Sequence, residues 1–189
     1  MMRLYSISPC PTLIYAHDVP ILAEMGSRWL QGQRPHADFY SPFGPVLYAL
    51  LGLCMRLAGG RAVGIAWAPL VVAVACLTLG VVGSWRRPGA GARGLSLVTV
   101  AFVALGVRIL NCEPHWLSYA TSYNRFGFAA LVALQLALLL PFDESAEAAP
   151  WWRRPSCLAA GASALLASLL LWTKPTFGAA AVALIAAAL

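Results

Sequence analysis

"AVGIAWAPLVVAVACLTLGVVGSW", Ala62 to Trp85, contains no ionisable side chain. About 20 apolar residues in helical form cover the hydrocarbon core of a bilayer, so this stretch is long enough to span one. In lipid every backbone amide must find its partner inside the chain, and at this length a helix is the way to do so. The reading fixes the fold class as all-α, a polytopic transmembrane bundle, provided that further spans follow.

They do. Gly94 to Leu110 is a second apolar block, interrupted near its end by Arg108, and Phe126 to Phe142 is a third. Cys157 to Thr173 is a fourth, and Pro175 to Leu189 begins a fifth that stops inside "AAAVALIAAAL". The predicted spans are thus 62–85, 94–110, 126–142, 157–173 and an incomplete 175–189. An end in mid-helix is expected of the N-terminal part of a longer protein, inactive alone. Upstream, "LYSISPCPTLIYA" (Leu4 to Ala16) is apolar but short and carries Pro9 and Pro11, so it matches neither a signal peptide nor a span.

Composition agrees. Sixty per cent of the residues are hydrophobic and 11% charged, against roughly 25% charged in a soluble domain. The net charge of +6 forms no basic stripe on a soluble fold, so a nucleic-acid partner is not expected. Cys54, Cys76 and Cys157 lie in apolar segments and read as small core residues. Cys10 and Cys112 share the predicted outer compartment, but their spacing demands no disulfide. The sequence has no P-loop, CxxC, GxSxG or HExxH motif and no internal repeat.

Arginines set the orientation. "RRPGAGAR" carries Arg86, Arg87 and Arg93, and "DESAEAAPWWRRPS" carries Arg153 and Arg154. The positive-inside rule places both loops in the cytoplasm, two spans apart. The segment before the first span, "NCEPHWLSYATSYNR" and Lys174 then lie on the extracytoplasmic side, in a membrane expected to be a bacterial inner membrane.

That opening segment, 17–60, gathers His17, Asp18, Glu24, Arg28, Arg34, His36 and Asp38 in a stretch with no long apolar run, with Arg56 further along. Asp18-Val19-Pro20 reads as a helix N-cap with proline in the first turn. Leu22, Met25 and Trp29 recur at helical spacing, Glu24 and Arg28 form an i,i+4 pair, and Gly32 supplies a stop. The expectation is a short amphipathic helix, Val19 to Gln31, at the membrane surface with Trp29 at headgroup level. "RPHADFYSPFGP" follows as a proline-punctuated loop. A second short helix, about Gly44 to Ala58, ends at Gly59-Gly60 and is expected to be interfacial or half-inserted.

The pattern "DxxxxAEMGxxxLxG", then "PHADFYSPFGPVLYAL", a helix ending near "LAGG", an arginine and a long span resembles the GT-C glycosyltransferases. The nearest likeness within that superfamily is to the protein mannosyltransferases and the lipid A aminoarabinose transferases. "SYNRFGFAAL" and "LLLWTKPTFG" extend the resemblance to about Gly178. It implies a polyprenyl-phosphate sugar as donor, membrane lipids as surroundings, and an essential acid at the start of the first extracytoplasmic loop, here Asp18. Relatives often show Asp-Glu where this chain has His17-Asp18-Val19, and an acid after the second span where it has Asn124-Arg125.

The chemistry such a donor needs can be matched to residue types. An acceptor hydroxyl attacking the anomeric carbon needs a carboxylate as general base, a role open to Asp18 or Asp38. The departing phosphate needs cations, for which Arg61, Arg108, Arg125 and Lys174 are the candidates. Arg108 stands out, because a cation within a span faces a cavity or a partner, or else snorkels from near the helix end. Each residue also has a plainer use. Asp18 can be only an N-cap, and Asp38 can fix its loop by accepting backbone N–H groups. Lys174 can be an interfacial anchor, Trp116, Tyr119 and Tyr123 an aromatic belt, and Glu24 merely the partner of Arg28. His17 and His36 with Asp18 and Asp38 have side chains suited to a divalent metal, the one cofactor the sequence leaves open. Two other functions compete: a transporter, which would line successive spans with polar groups rather than leave them bare but for Arg108 and Gln135, and a non-catalytic or truncated scaffold.

Overall fold

A computed structural model describes residues 18–84, 89–106, 122–139 and 155–188. Seven α-helices and one 3₁₀ segment form an all-α bundle, with no strand among the described residues. The helices are α1 (Asp18–Leu30), α2 (Pro45–Leu57), α3 (Ala68–Gly83), α4 (Ala90–Leu105), α5 (Ser122–Leu139), α6 (Pro155–Thr173) and α7 (Pro175–Ala188). The 3₁₀ segment, Ala62–Trp67, leads into α3.

Among the described residues three helical stretches are long and apolar enough to cross a membrane: Ala62–Gly83 with 22 residues, and Ser122–Leu139 and Ser156–Thr173 with 18 each. The helices α2, α4 and α7 are apolar but shorter. The expected first span, 62–85, is divided. Pro69 stands in the first turn of α3, where its missing N–H costs nothing and its fixed φ favours a start. The preceding six residues wind as a 3₁₀ segment instead. The expected 94–110 block is helical from Ala90 to Leu105 and is capped by an extended Gly106, and Arg108 falls outside the described residues. The third block starts four residues earlier than its apolar run, at Ser122. Tyr123, Asn124 and Arg125 therefore occupy the first turn of α5 rather than a loop. A helix end at a membrane face can carry polar residues that a search for hydropathy passes over.

Two cores hold the molecule. The larger joins α3, α4, α5, α6 and α7 through Ala73, Cys76, Val100, Ala129, Ala133, Leu134, Leu166, Leu170 and Phe177. Many of these are small, as expected where helices pack by close van der Waals approach and not by expulsion of water. At one end, a Cβ on Gly83 would collide with the Cβ of Ala137 and press on that of Ala162 at 3.2 Å. The C-terminal ends of α3 and α5 and the N-terminal part of α6 therefore meet there. Ser84 closes that end of α3, its hydroxyl donating to the Gly80 carbonyl at 2.7 Å while its own carbonyl accepts from Arg93 Nη1 at 3.3 Å.

The smaller core is the platform before the first span. Leu22, Ala23 and Met25 of α1 bury against Leu47, Tyr48, Leu51, Cys54 and Met55 of α2, with Ile65, Ala68 and Phe126 completing the cluster. Trp29 lies with its indole over Gly52, whose missing side chain makes the room. On the open side of α1, Arg28 donates to Glu24 Oε1 from Nε at 2.9 Å and from Nη2 at 2.6 Å, and lies 4.6 Å from the centre of the Phe39 ring. Gly59 and Gly60, both with positive φ (69° and 78°), turn the chain out of α2. They are followed by a 3₁₀ segment that crosses directly over Cys54 and Met55 at Gly64.

Candidate active site

The loop between α1 and α2 is built by its own polar groups. The Arg34 amide donates to Asp38 Oδ2 at 2.6 Å, and the Asp38 amide donates back to the Arg34 carbonyl at 2.9 Å. Within this turn His36 takes a left-handed φ of 66°, a conformation in which non-glycine residues are uncommon. Its amide donates to the Phe39 carbonyl at 2.8 Å, and its ring Nε2 lies 3.1 Å from the Phe43 carbonyl oxygen. Asp38 and His36 thus hold the turn closed while remaining exposed. Among the described residues no three His, Cys, Asp or Glu side chains gather as a metal site. His17 and the side chain of Asp18 lie outside the described residues, and Asp18 itself is the first residue of α1.

The end of this loop docks on the bundle. Pro175 has no N–H to continue the helical ladder and disfavours a helical residue before it, so the long apolar run breaks into α6 and α7 with Lys174 at the joint. The break leaves the Thr173 carbonyl unclaimed by the helix, and the Gly44 amide donates to it at 2.9 Å. A side chain at Gly44 would run into the Trp172 carbonyl, whose carbon lies 2.5 Å from the position of a Cβ. The backbone contact therefore requires glycine at that point.

Around this contact side chains of three distant segments meet, two of them polar and the third supplying Phe43. Lys174 Nζ donates to Asn124 Oδ1 at 3.4 Å and lies 5.2 Å from the centre of the Tyr123 ring. Tyr123 in turn packs against Phe43 at 4.7 Å between ring centres. Arg125 follows in the same first turn of α5 and is partly buried. Phe43 also lines a cleft of about 340 Å³ with Ile21, Glu24, Met25, Arg28 and the 39–42 strip. The cleft and Lys174 are thus joined through two aromatic side chains, Phe43 and Tyr123.

Of the four cations expected to meet a phosphate, Arg125 and Lys174 are brought near one another, Lys174 by its bond to Asn124 beside Arg125. Arg61 lies toward the same end of the bundle, ahead of the first span, but apart from them. It stands past the C-terminal end of α2, where its Nε donates to the Ala58 carbonyl at 3.1 Å, whereas Lys174 neighbours the N-terminal end. A helix of 13 residues separates the two by about 18 Å. Sequence reading missed Phe43 and the role of Asn124 as the partner of Lys174. The "SPFGP" and "TKP" proline breaks were visible, but nothing in either predicts that they touch. Gln135, the other polar residue of a span interior, is exposed on α5 and takes no part in the core.

No family model, characterised protein or solved structure matches this chain. The fold and site define an all-α bundle carrying three helices of membrane-spanning length, with a polar platform fastened to one end.

Proposed function

We propose that this protein is a membrane glycosyltransferase of the GT-C type, which moves a sugar from a polyprenyl-phosphate donor to an acceptor hydroxyl on the extracytoplasmic side. The observation that carries the reading is the fastening of the first loop to the α6–α7 joint. It sets Lys174, steadied by Asn124 and the Tyr123 ring, beside Phe43 and the cleft. In this reading the acceptor oxygen bonds to the anomeric carbon as the bond from that carbon to the phosphate oxygen breaks. The hydroxyl proton passes to Asp18, and Lys174 with Arg125 offsets the charge on the leaving polyprenyl phosphate. A transporter would draw on charged groups along the spans, and the described span cores carry none, their buried polar side chain being the Ser163 hydroxyl of α6 among Ala, Leu, Val, Phe and Cys76.

The test is sugar transfer in membranes carrying the product of the native reading frame, with a panel of radiolabelled polyprenyl-phosphate sugars. Asp18→Asn at unchanged protein level is expected to lower transfer by about 10²-fold or more, the usual share of a general base. Asp38→Asn, which keeps an acceptor oxygen for the Arg34 amide, is expected to retain most of it. Transfer unaffected by Asp18→Asn would remove that residue from the chemistry. Failure of every donor in the panel would sink the glycosyltransferase reading.

A further inference from the structure

The apolar surface of α3 does not stop where the helix does. Val74 and Leu70 lie on its exposed side, and the stripe continues through Trp67 and Val63 of the 3₁₀ segment to Leu57 and Leu53 at the end of α2. Every one of these six side chains is between 49% and 60% exposed. Leu53 and Leu57 are four apart and share a helix face, and Trp67, Leu70 and Val74 follow one another at helical spacing. The upper part of the stripe belongs to a stretch of membrane-spanning length, so its surroundings there are acyl chains. The 3₁₀ segment lies directly against Cys54 and Met55 of α2 at Gly64, so the exposed apolar side chains of the 3₁₀ segment and of the end of α2 belong to neighbouring parts of the fold. Trp67 lies within the same spanning-length stretch and is half-exposed on the stripe.

Two cations close the stripe. Arg56, in the last turn of α2, and Arg61, after the Gly59-Gly60 turn, are both exposed. The sequence from Phe39 to Cys112 contains no acidic residue, and neither arginine has a carboxylate partner among the described residues. This differs from Arg28 and Arg34, each of which is matched to an acid on its own segment. Two unneutralised guanidinium groups beside an apolar strip at the membrane boundary are suited to phosphodiester oxygens, which guanidinium binds in a bidentate manner.

We propose that the end of α2 and the 3₁₀ segment form a docking surface for anionic phospholipid, with Leu53, Leu57, Val63 and Trp67 among the acyl chains and Arg56 and Arg61 on the headgroup phosphates. The surface holds the platform down on the bilayer at the end remote from Lys174. It does not rest on the glycosyltransferase reading. It also gives Arg61 a ligand other than the sugar donor: a bulk phospholipid rather than a polyprenyl phosphate.

Native mass spectrometry of the purified protein tests this, with micelles holding equal amounts of phosphatidylglycerol, phosphatidylcholine and undecaprenyl phosphate. The wild type is expected to retain phosphatidylglycerol in preference to phosphatidylcholine. The Arg56→Gln/Arg61→Gln variant is expected to lose that preference by roughly 30-fold, from the usual contribution of two juxtamembrane cations. Both residues are on the surface, and Arg34→Gln, which removes an exposed but acid-paired arginine, is expected to leave the preference intact. The proposal fails if the double variant binds phosphatidylglycerol like the wild type, or if Arg34→Gln loses as much. It fails equally if undecaprenyl phosphate is the lipid that the double variant releases, since the arginines would then serve a donor site.

Discussion

Gly44→Ala is expected to lower the stability of the protein by about 2–3 kcal/mol, a cost typical of forcing atoms into a packed contact. The position has an ordinary extended backbone, φ −79° and ψ 166°, so alanine is no burden there conformationally. The cost comes from the neighbour. The added methyl meets the Trp172 carbonyl, which is backbone and cannot rotate away as a side chain would. The loop must lift, and with it goes the bond from the Gly44 amide to the Thr173 carbonyl. Phe43 then withdraws from Tyr123, so the variant should lose the link between cleft and cations along with its stability. Gly91→Ala is the matched control: Gly91 is exposed on α4 with no atom in the way of a Cβ, and there alanine should be neutral or slightly favourable to the helix. Thermal unfolding in detergent separates the two. Equal midpoints for Gly44→Ala and Gly91→Ala would mean that the loop is not seated on α6.

Most of the helices could be read from local chemistry, because their limits are written in residues that act on the backbone directly. Asp18 with Pro20, Gly32, Pro45, Gly59-Gly60 and Pro175 all mark ends within a residue or two of those observed. Two features were not visible in hydropathy. The first apolar block starts at Ala62 as expected but winds as 3₁₀ up to Pro69, and the first turn of α5 is helical although its residues are polar. Hydropathy reports the solvent of a segment, and the backbone follows its own rules. The site was legible only in part, for a different reason. Lys174 could be singled out as a cation at a span end, but its neighbours come from two other segments, and the contact that gathers them is a backbone hydrogen bond with no side-chain signature. Arg61 shows the converse. It is close to the polar loop in sequence, yet α2 is rigid and carries it to the far end of the platform.

Lys174→Met should reduce transfer about 10²–10³-fold, the usual loss when a preorganised group facing developing charge is removed. Methionine keeps much of the length and apolar bulk of the side chain, so it can still rest on Tyr123, and the unfolding midpoint should barely move. The partners of Lys174 are the reason. An amide oxygen at 3.4 Å and a ring face at 5.2 Å orient an ammonium group without neutralising it, and no carboxylate pairs with it among the described residues. A lysine kept for structure would be expected to find an acid, as Arg28 and Arg34 do. One kept for an incoming phosphate is better left with its charge unspent. The two roles separate in kinetics. If Lys174 acts on the departing phosphate, kcat falls more than KM rises, because the charge it meets is greater in the transition state than in the bound donor. Lys174→Arg should then recover part of the rate, and Asn124→Ala, which leaves the charge but loosens its aim, should fall between arginine and methionine. If instead Lys174 is only a membrane anchor, Lys174→Met would keep its kcat, and any loss of activity would follow a loss of folded protein that arginine restores in full.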